Sequence, residues 1–133
     1  MKKGYEVPEA SRTSAGRSVR QLSELKENES IVSMLALEDF RGSEQAPSGD
    51  LFFATRSGRV KRSALSEYKN INRSGLIALN LNDGDALIGV VRTEADDHVL
   101  LATEGGMAIR FQATEARSMG RSAAGVKGMD LAK

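Results

Sequence analysis

The sequence predicts an all-β protein made of repeated small antiparallel sheets in a propeller-like array. Three observations predict it. The chain repeats itself at a spacing near 50 residues, its apolar runs have strand length and composition, and glycine-containing turns separate them. No segment carries a sustained helical period.

The repeat is the most specific of the three. FFATRSGRVKR from Phe52 lies on LLATEGGMAIR from Leu100, bringing Ala54 onto Ala102, Thr55 onto Thr103, Gly58 onto Gly106 and Arg62 onto Arg110. Farther on, Gly75–Leu81 lies on Gly125–Leu131, the spacing rising from 48 to 50 through Ala123 and Ala124. A third copy is entered part-way: Arg12–Gly16 matches Arg121–Gly125, and LKENESIVSM from Leu25 matches LNDGDALIGV from Leu81. The expected organisation is a partial blade over 1–37, a loop over 38–50, a complete blade over 51–93 and a partial blade over 94–133.

Within a unit, DLFFAT, RVKRSAL, GLIALNL and ALIGVVRT read as strands, giving four antiparallel strands per blade. Arg56-Ser57-Gly58, Asn82-Asp83-Gly84-Asp85 and Glu104-Gly105-Gly106 hold residues that accept positive φ, so they read as tight turns. Residues 38–50 have the proline and glycine content of a loop.

Apolar residues form 40% of the chain and charged residues 28%, enough for a core and too few charges for a disordered chain. Without cysteine, disulfides and thiolate metal sites are excluded. The N-terminal stretch has no apolar core of a signal peptide, and the longest apolar run, near Ala86–Val91, is too short to span a bilayer. A soluble, cytoplasmic protein with no membrane partner is expected. The net charge of +1 hides an uneven distribution: residues 51–93 carry seven Lys/Arg against three Asp/Glu. A local basic island favours a polyanionic partner, because phosphate attraction depends on clustering. It is also compatible with a solvated strand face whose charges discourage edge aggregation.

Catalytic patterns are weak. His98 is the sole histidine, which leaves no nucleophile–histidine pair beyond a lone surface imidazole. Asp83 and Asp85 resemble a cation site, yet their match to Asn28-Glu29 reads as a recurring hairpin turn. Gly105-Gly106 lacks the lysine of a phosphate loop. Tyr5 and Tyr68 are candidate nucleophiles by residue type, but Tyr68 aligns with Ala116. No catalytic residue, metal or cofactor is expected.

YEVPEASRTSAGR, LFFATRSGRVKRSALSEY followed by GLIALNLNDGDALIGV, and IRFQATEARSMGRSAAGVKGMDL together resemble the β-pinwheel repeats in the A subunit of DNA gyrase. The related domain in the C subunit of topoisomerase IV is the paralogous alternative. The resemblance covers about residues 4 to 131. It implies blades in a ring or shallow spiral that exchange strands with their neighbours, and a basic outer rim that binds and bends duplex DNA. In gyrase that wrap has a fixed hand and supports ATP-dependent negative supercoiling. The cleaving tyrosine and the ATPase lie in other domains. The implied partners are therefore the remaining parts of the A subunit, together with the B subunit of gyrase, and association with the nucleoid follows. The glutamine-arginine-arginine-glycine-glycine box required for full wrapping is absent, and Met119–Gly128 looks like its degenerate form.

Cations that recur in register would form a track along such a rim. Arg62 and Arg110 are equivalent, as are Lys69 and Arg117, and Arg12, Arg73 and Arg121 each precede the repeat's glycine. The expected DNA-binding set is Arg12, Lys61, Arg62, Lys69, Arg73, Arg110, Arg117, Arg121 and Lys127. The alternative is a structural or protein-interaction propeller fragment without DNA affinity of its own. Half a blade at the start and the complementary half at the end also predict that copies join head to tail.

Overall fold

The computed structural model describes residues 6–22, 25–37, 48–72 and 75–131. Two β-hairpins anchor the architecture. The first joins β1 (Asp50–Thr55) to β2 (Arg59–Ala64). After β3 (Leu87–Thr93), β4 (His98–Ala102) and β5 (Ala108–Gln112) form the second. Both turns close at a glycine with positive φ, Gly58 at 76° and Gly106 at 82°, where a side chain would be strained. In both, a threonine, Thr55 ending β1 and Thr103 just after β4, accepts at its Oγ1 the amide that opens the return path: Arg59 at 3.3 Å and Met107 at 3.1 Å.

The repeat is a property of the backbone as well as of the letters. Asp50 faces Ala64 and Phe52 faces Arg62, while His98 faces Gln112 and Leu100 faces Arg110, each pair displaced by 48 residues. Each hairpin ends in a 3-10 turn, Leu65–Tyr68 and Ala113–Glu115. One helical turn, Val19–Leu22, departs from the all-β expectation.

β1 and β2 alternate faces, yet both faces are buried. Leu51, Phe53, Leu65 and Tyr68 form one cluster, against which Leu37, Leu76, Ala78, Leu87 and Val90 pack. Phe52, Val60, Ala113 and Ala116 form the other, covered by Val99, Leu101 and Phe111 of the second hairpin and by Val126. A sheet covered on both sides loses the hydrophobic-in, polar-out alternation of a one-sided sheet. At about 1.5–3 kcal/mol for each large apolar side chain, the two clusters bind the blade to both neighbours.

The blade is four-stranded, with order β3-β1-β2-β6. Its last strand, β6 (Val126–Lys127), comes from the following unit, and Val60 faces Val126 while Arg59 faces Lys127. The amides of Gly128 and Met129 extend this attachment by donating to the Gly58 carbonyl, at 2.9 and 3.1 Å. The expectation that 75–81 forms the blade's own strand is corrected here. Residues 75–81 join no ladder among the described residues; the equivalent stretch of the next unit occupies the β2 edge instead. The molecule is all-β, a propeller-like fragment whose blades share strands. The first ten residues of the expected loop, 38–47, lie outside the described residues.

Candidate functional site

The segment from Ala116 to Arg121 lies along the edge of β2, fastened by side chains of that strand. Arg62 Nε donates to the Ala116 carbonyl at 2.7 Å, and Ser63 Oγ donates to the Met119 carbonyl at 2.7 Å. The Met119 amide returns a bond to the Arg62 carbonyl at 2.8 Å, and Ser118 bridges Arg62 in parallel sense. Lys61 Nζ donates to the Arg121 carbonyl and, at 2.7 Å, to that of Ala78. The fastened segment presents Arg117 and Arg121, two of the expected phosphate ligands, from a backbone fixed at both ends.

Two members of the expected set have inward partners. Lys61 is 1% exposed and sits 5.4 Å from the centre of the Phe53 ring, so it is a core residue and does not reach the rim. Burial pushes its ammonium down to about 8; Glu67 opposes the fall and Arg121 adds to it. Arg62 is largely enclosed, and its Nη1 donates to Asp50 Oδ2 at 2.7 Å. Strand alternation explains both: consecutive residues point to opposite faces, and each face of this blade is covered.

The remaining cations divide clearly. Arg12, Lys69, Arg110 and Arg117 are exposed and make no ion pair with described residues. Arg110 holds the repeat position of Arg62, but the partner position of Asp50 is occupied by His98, and the guanidinium stays open. Arg121 is half-buried, and Lys127 pairs with Asp130. Arg73 lies outside the described residues.

Arg59, absent from the expected set, is a fastener too. Its Nε and Nη2 donate to the carbonyls of Ala124 at 3.2 Å and Gly125 at 2.5 Å, locking the approach to β6. The signal was present in the sequence: Arg59, Lys61 and Ser63 are in phase along one strand, beside the glycine that lets the neighbour approach.

The residues that invited catalytic readings have other surroundings. Tyr68 is buried, its Oη lies 3.5 Å from the Ala78 carbonyl, and burial pushes its phenol up; Tyr5 lies outside the described residues. His98 is exposed at the start of β4. Asp85 is a turn fastener, accepting bonds from Ser57 and from the Ala86 amide. Among the described residues, no group of three or more acidic or histidine side chains could hold a metal ion. No helix among them is long and apolar enough to cross a membrane.

Comparison with known proteins agrees with this architecture. A family model described as the DNA gyrase C-terminal domain, beta-propeller, matches residues 3–38, 49–94 and 97–133. The A subunit of DNA gyrase from Halalkalibacterium halodurans is 44% identical over 127 residues, which is 96% of this chain and 15% of the relative. That of Salmonella typhimurium is 42% identical over 130 residues, 98% of this chain and 14% of the relative. The chain thus spans about one seventh of these relatives' length. Among solved structures, the C-terminal domain of DNA topoisomerase IV superposes with a TM-score of 0.78 at 31% identity, covering 89% of this chain and 35% of that one. The DNA gyrase A C-terminal domain superposes at 0.59 and 24% identity, over 81% and 38%, a likeness of fold.

Proposed function

The chain belongs to the DNA gyrase C-terminal β-propeller family, and we propose that it is a non-catalytic module that binds and bends duplex DNA for a type IIA topoisomerase. The observation that carries this reading is the fastened segment 116–121, which carries the exposed Arg117 and the half-buried Arg121 at positions repeated by Lys69 and Arg73 one unit earlier. Cations on fixed backbone at a constant repeat suit a regular polyphosphate, and contacts to phosphate position DNA without reading its sequence. Bending a site of 20–30 base pairs takes about 1–6 kcal/mol, which several such contacts must offset.

On this reading the DNA track consists of Arg12, Lys69, Arg73, Arg110, Arg117 and Arg121, with Lys127 shared between phosphate and Asp130. DNA cleavage and ATP hydrolysis belong to the rest of the enzyme, the other parts of the A subunit, together with the B subunit. The module supports their negative supercoiling in the cytoplasm, at the nucleoid. Copies of the chain joined head to tail are a further partner.

A second reading, a structural or protein-interaction fragment without DNA affinity, is favoured by the inward use of Lys61, Arg62 and Arg59. Binding of a labelled 30-base-pair duplex, measured at low and at moderate salt, separates the two. The DNA reading expects log K to fall with log salt by about 0.9 for each phosphate engaged. Affinity that is undetectable at low salt, or indifferent to salt, supports the second reading instead.

A further inference from the structure

We propose that a DNA phosphate held at Arg121 and the proton held at Lys61 are linked, so that duplex binding draws a proton onto this buried lysine and weakens in alkaline solution. The proposal rests on the functional reading above and adds how that rim is regulated.

Three polar side chains of the blade converge on one small volume. Lys61 Nζ donates to the carbonyls of Ala78, at 2.7 Å, and of Arg121. Tyr68 Oη lies 3.5 Å from the same Ala78 carbonyl, and Ser63 Oγ donates to the Met119 carbonyl at 2.7 Å. The cluster thus meets the rim segment at two carbonyls, one of which belongs to an assigned phosphate ligand. The second hairpin carries Ile109, Phe111 and Ala116 at the matching places, 48 residues later. A hairpin of this design forms with apolar residues there, so the scaffold itself does not call for the polar set.

An enclosed ammonium responds strongly to nearby charge, because little water stands between them. Among the described residues, the charged and titratable groups around Lys61 are Glu67 and Tyr68 on the 3-10 turn and Arg121 on the rim segment. β1 adds the Phe53 ring, and the 75–81 stretch adds the Ala78 carbonyl. Burial brings the ammonium down to about 8, with Glu67 opposing the fall and Arg121 adding to it. A phosphate on Arg121 offsets that guanidinium and places a negative charge on the same side. Both effects favour the charged lysine, so its hold on the proton tightens when DNA is bound.

The coupling is reciprocal: if DNA tightens the proton, the proton tightens DNA. Affinity is therefore full below the value of the free protein and falls as pH climbs through it. The limit for one linked proton is about tenfold per pH unit.

Calorimetric titration of the whole chain with a 30-base-pair duplex at low salt, in two buffers of different protonation enthalpy, counts the protons taken up. The parent should take up a large fraction of one proton at pH 8.5 and much less at pH 7, and its affinity should fall several-fold between pH 7 and pH 9. Lys61→Met, measured below its thermal midpoint, should lose the uptake and the matching part of the pH profile. Arg121→Gln keeps Lys61 and both carbonyls, and should also lose most of the uptake. Binding without proton uptake at pH 8.5, or uptake undiminished in either variant, overturns the proposal and leaves the functional reading standing. No binding at either pH overturns both.

Discussion

Asp85 grips Ser57 at two points, its Oδ1 accepting the Ser57 amide at 2.9 Å and its Oδ2 the Ser57 hydroxyl at 2.5 Å. The two residues belong to different turns, 28 positions apart, so the clasp ties the connection that enters β3 to the β1–β2 hairpin. The Ala86 amide also donates to Oδ1, at 2.8 Å.

Acid stability should report on this clasp. Desolvation alone would raise the Asp85 carboxyl, but bonds from the Ser57 and Thr55 hydroxyls and from the Ser57 and Ala86 amides outweigh it and lower the group from 3.8 to about 2. A carboxyl depressed by folding adds stability above its unfolded value, and loses it as pH falls from about 4 towards 2. Asp85→Ala should lower stability near pH 7 by about 1 kcal/mol, because the bonds to this charged group are exposed and solvent screens them. Denaturant unfolding at pH 7 and pH 2.5 should show the difference between the two proteins shrinking in acid.

The strand exchange depends on a close approach that only glycine permits. A Cβ on Gly125, at φ 83°, would stand 2.5 Å from the Val60 carbonyl oxygen, whereas one on Gly106, at φ 82°, would meet nothing within 4 Å. Gly106→Ala should lose only the backbone preference, about 1–2 kcal/mol. Gly125→Ala should lose that and also push β6 away from β2, giving the larger fall in thermal midpoint. Equal losses would mean that β6 adds nothing to the blade.

Lys61 illustrates how far the sequence could be read. Hairpin positions and the repeat were legible because turn glycines and period-two strands are local signals. The fourth strand was not, because its partner edge belongs to another unit and nothing within 75–81 distinguishes pairing at home from pairing next door. The inward partners of the β2 cations were hidden for a related reason. A basic strand reads as an outer face until the neighbour that covers it is known, and here the loop carrying Arg117 and Arg121 covers it.

Lys61→Met should therefore act on the fold first. It leaves the Ala78 and Arg121 carbonyls without their donor, a loss of about 1–3 kcal/mol at neutral pH. The pH dependence gives a sharper signature. Folding lowers the ammonium from 10.5 to about 8, so between those values the unfolded chain binds the extra proton and stability rises with pH. Unfolding followed from pH 7.5 to 10 should show that upward contribution in the parent and its absence in the methionine variant.

DNA binding should divide the cations by where the fold puts them. Arg110 and Arg117 are exposed without an ion pair among the described residues, so on the DNA-binding reading reversing both to glutamate should remove two phosphate contacts and add repulsion without disturbing a core. Affinity for a 30-base-pair duplex should fall at low salt, and the slope of log K against log salt should flatten by about 1.8, or 0.9 for each phosphate lost. Arg62→Gln tests the opposite class. Its guanidinium is committed to Asp50 and the Ala116 carbonyl, so its loss frees the segment that carries Arg117 and lowers the thermal midpoint. If the enclosed guanidinium meets no phosphate, the salt slope of whatever binding survives should match the parent's. If Arg62→Gln flattens the slope while the Arg110 and Arg117 pair leaves it unchanged, the DNA follows the strand and not the fastened loop, and the assigned rim is wrong.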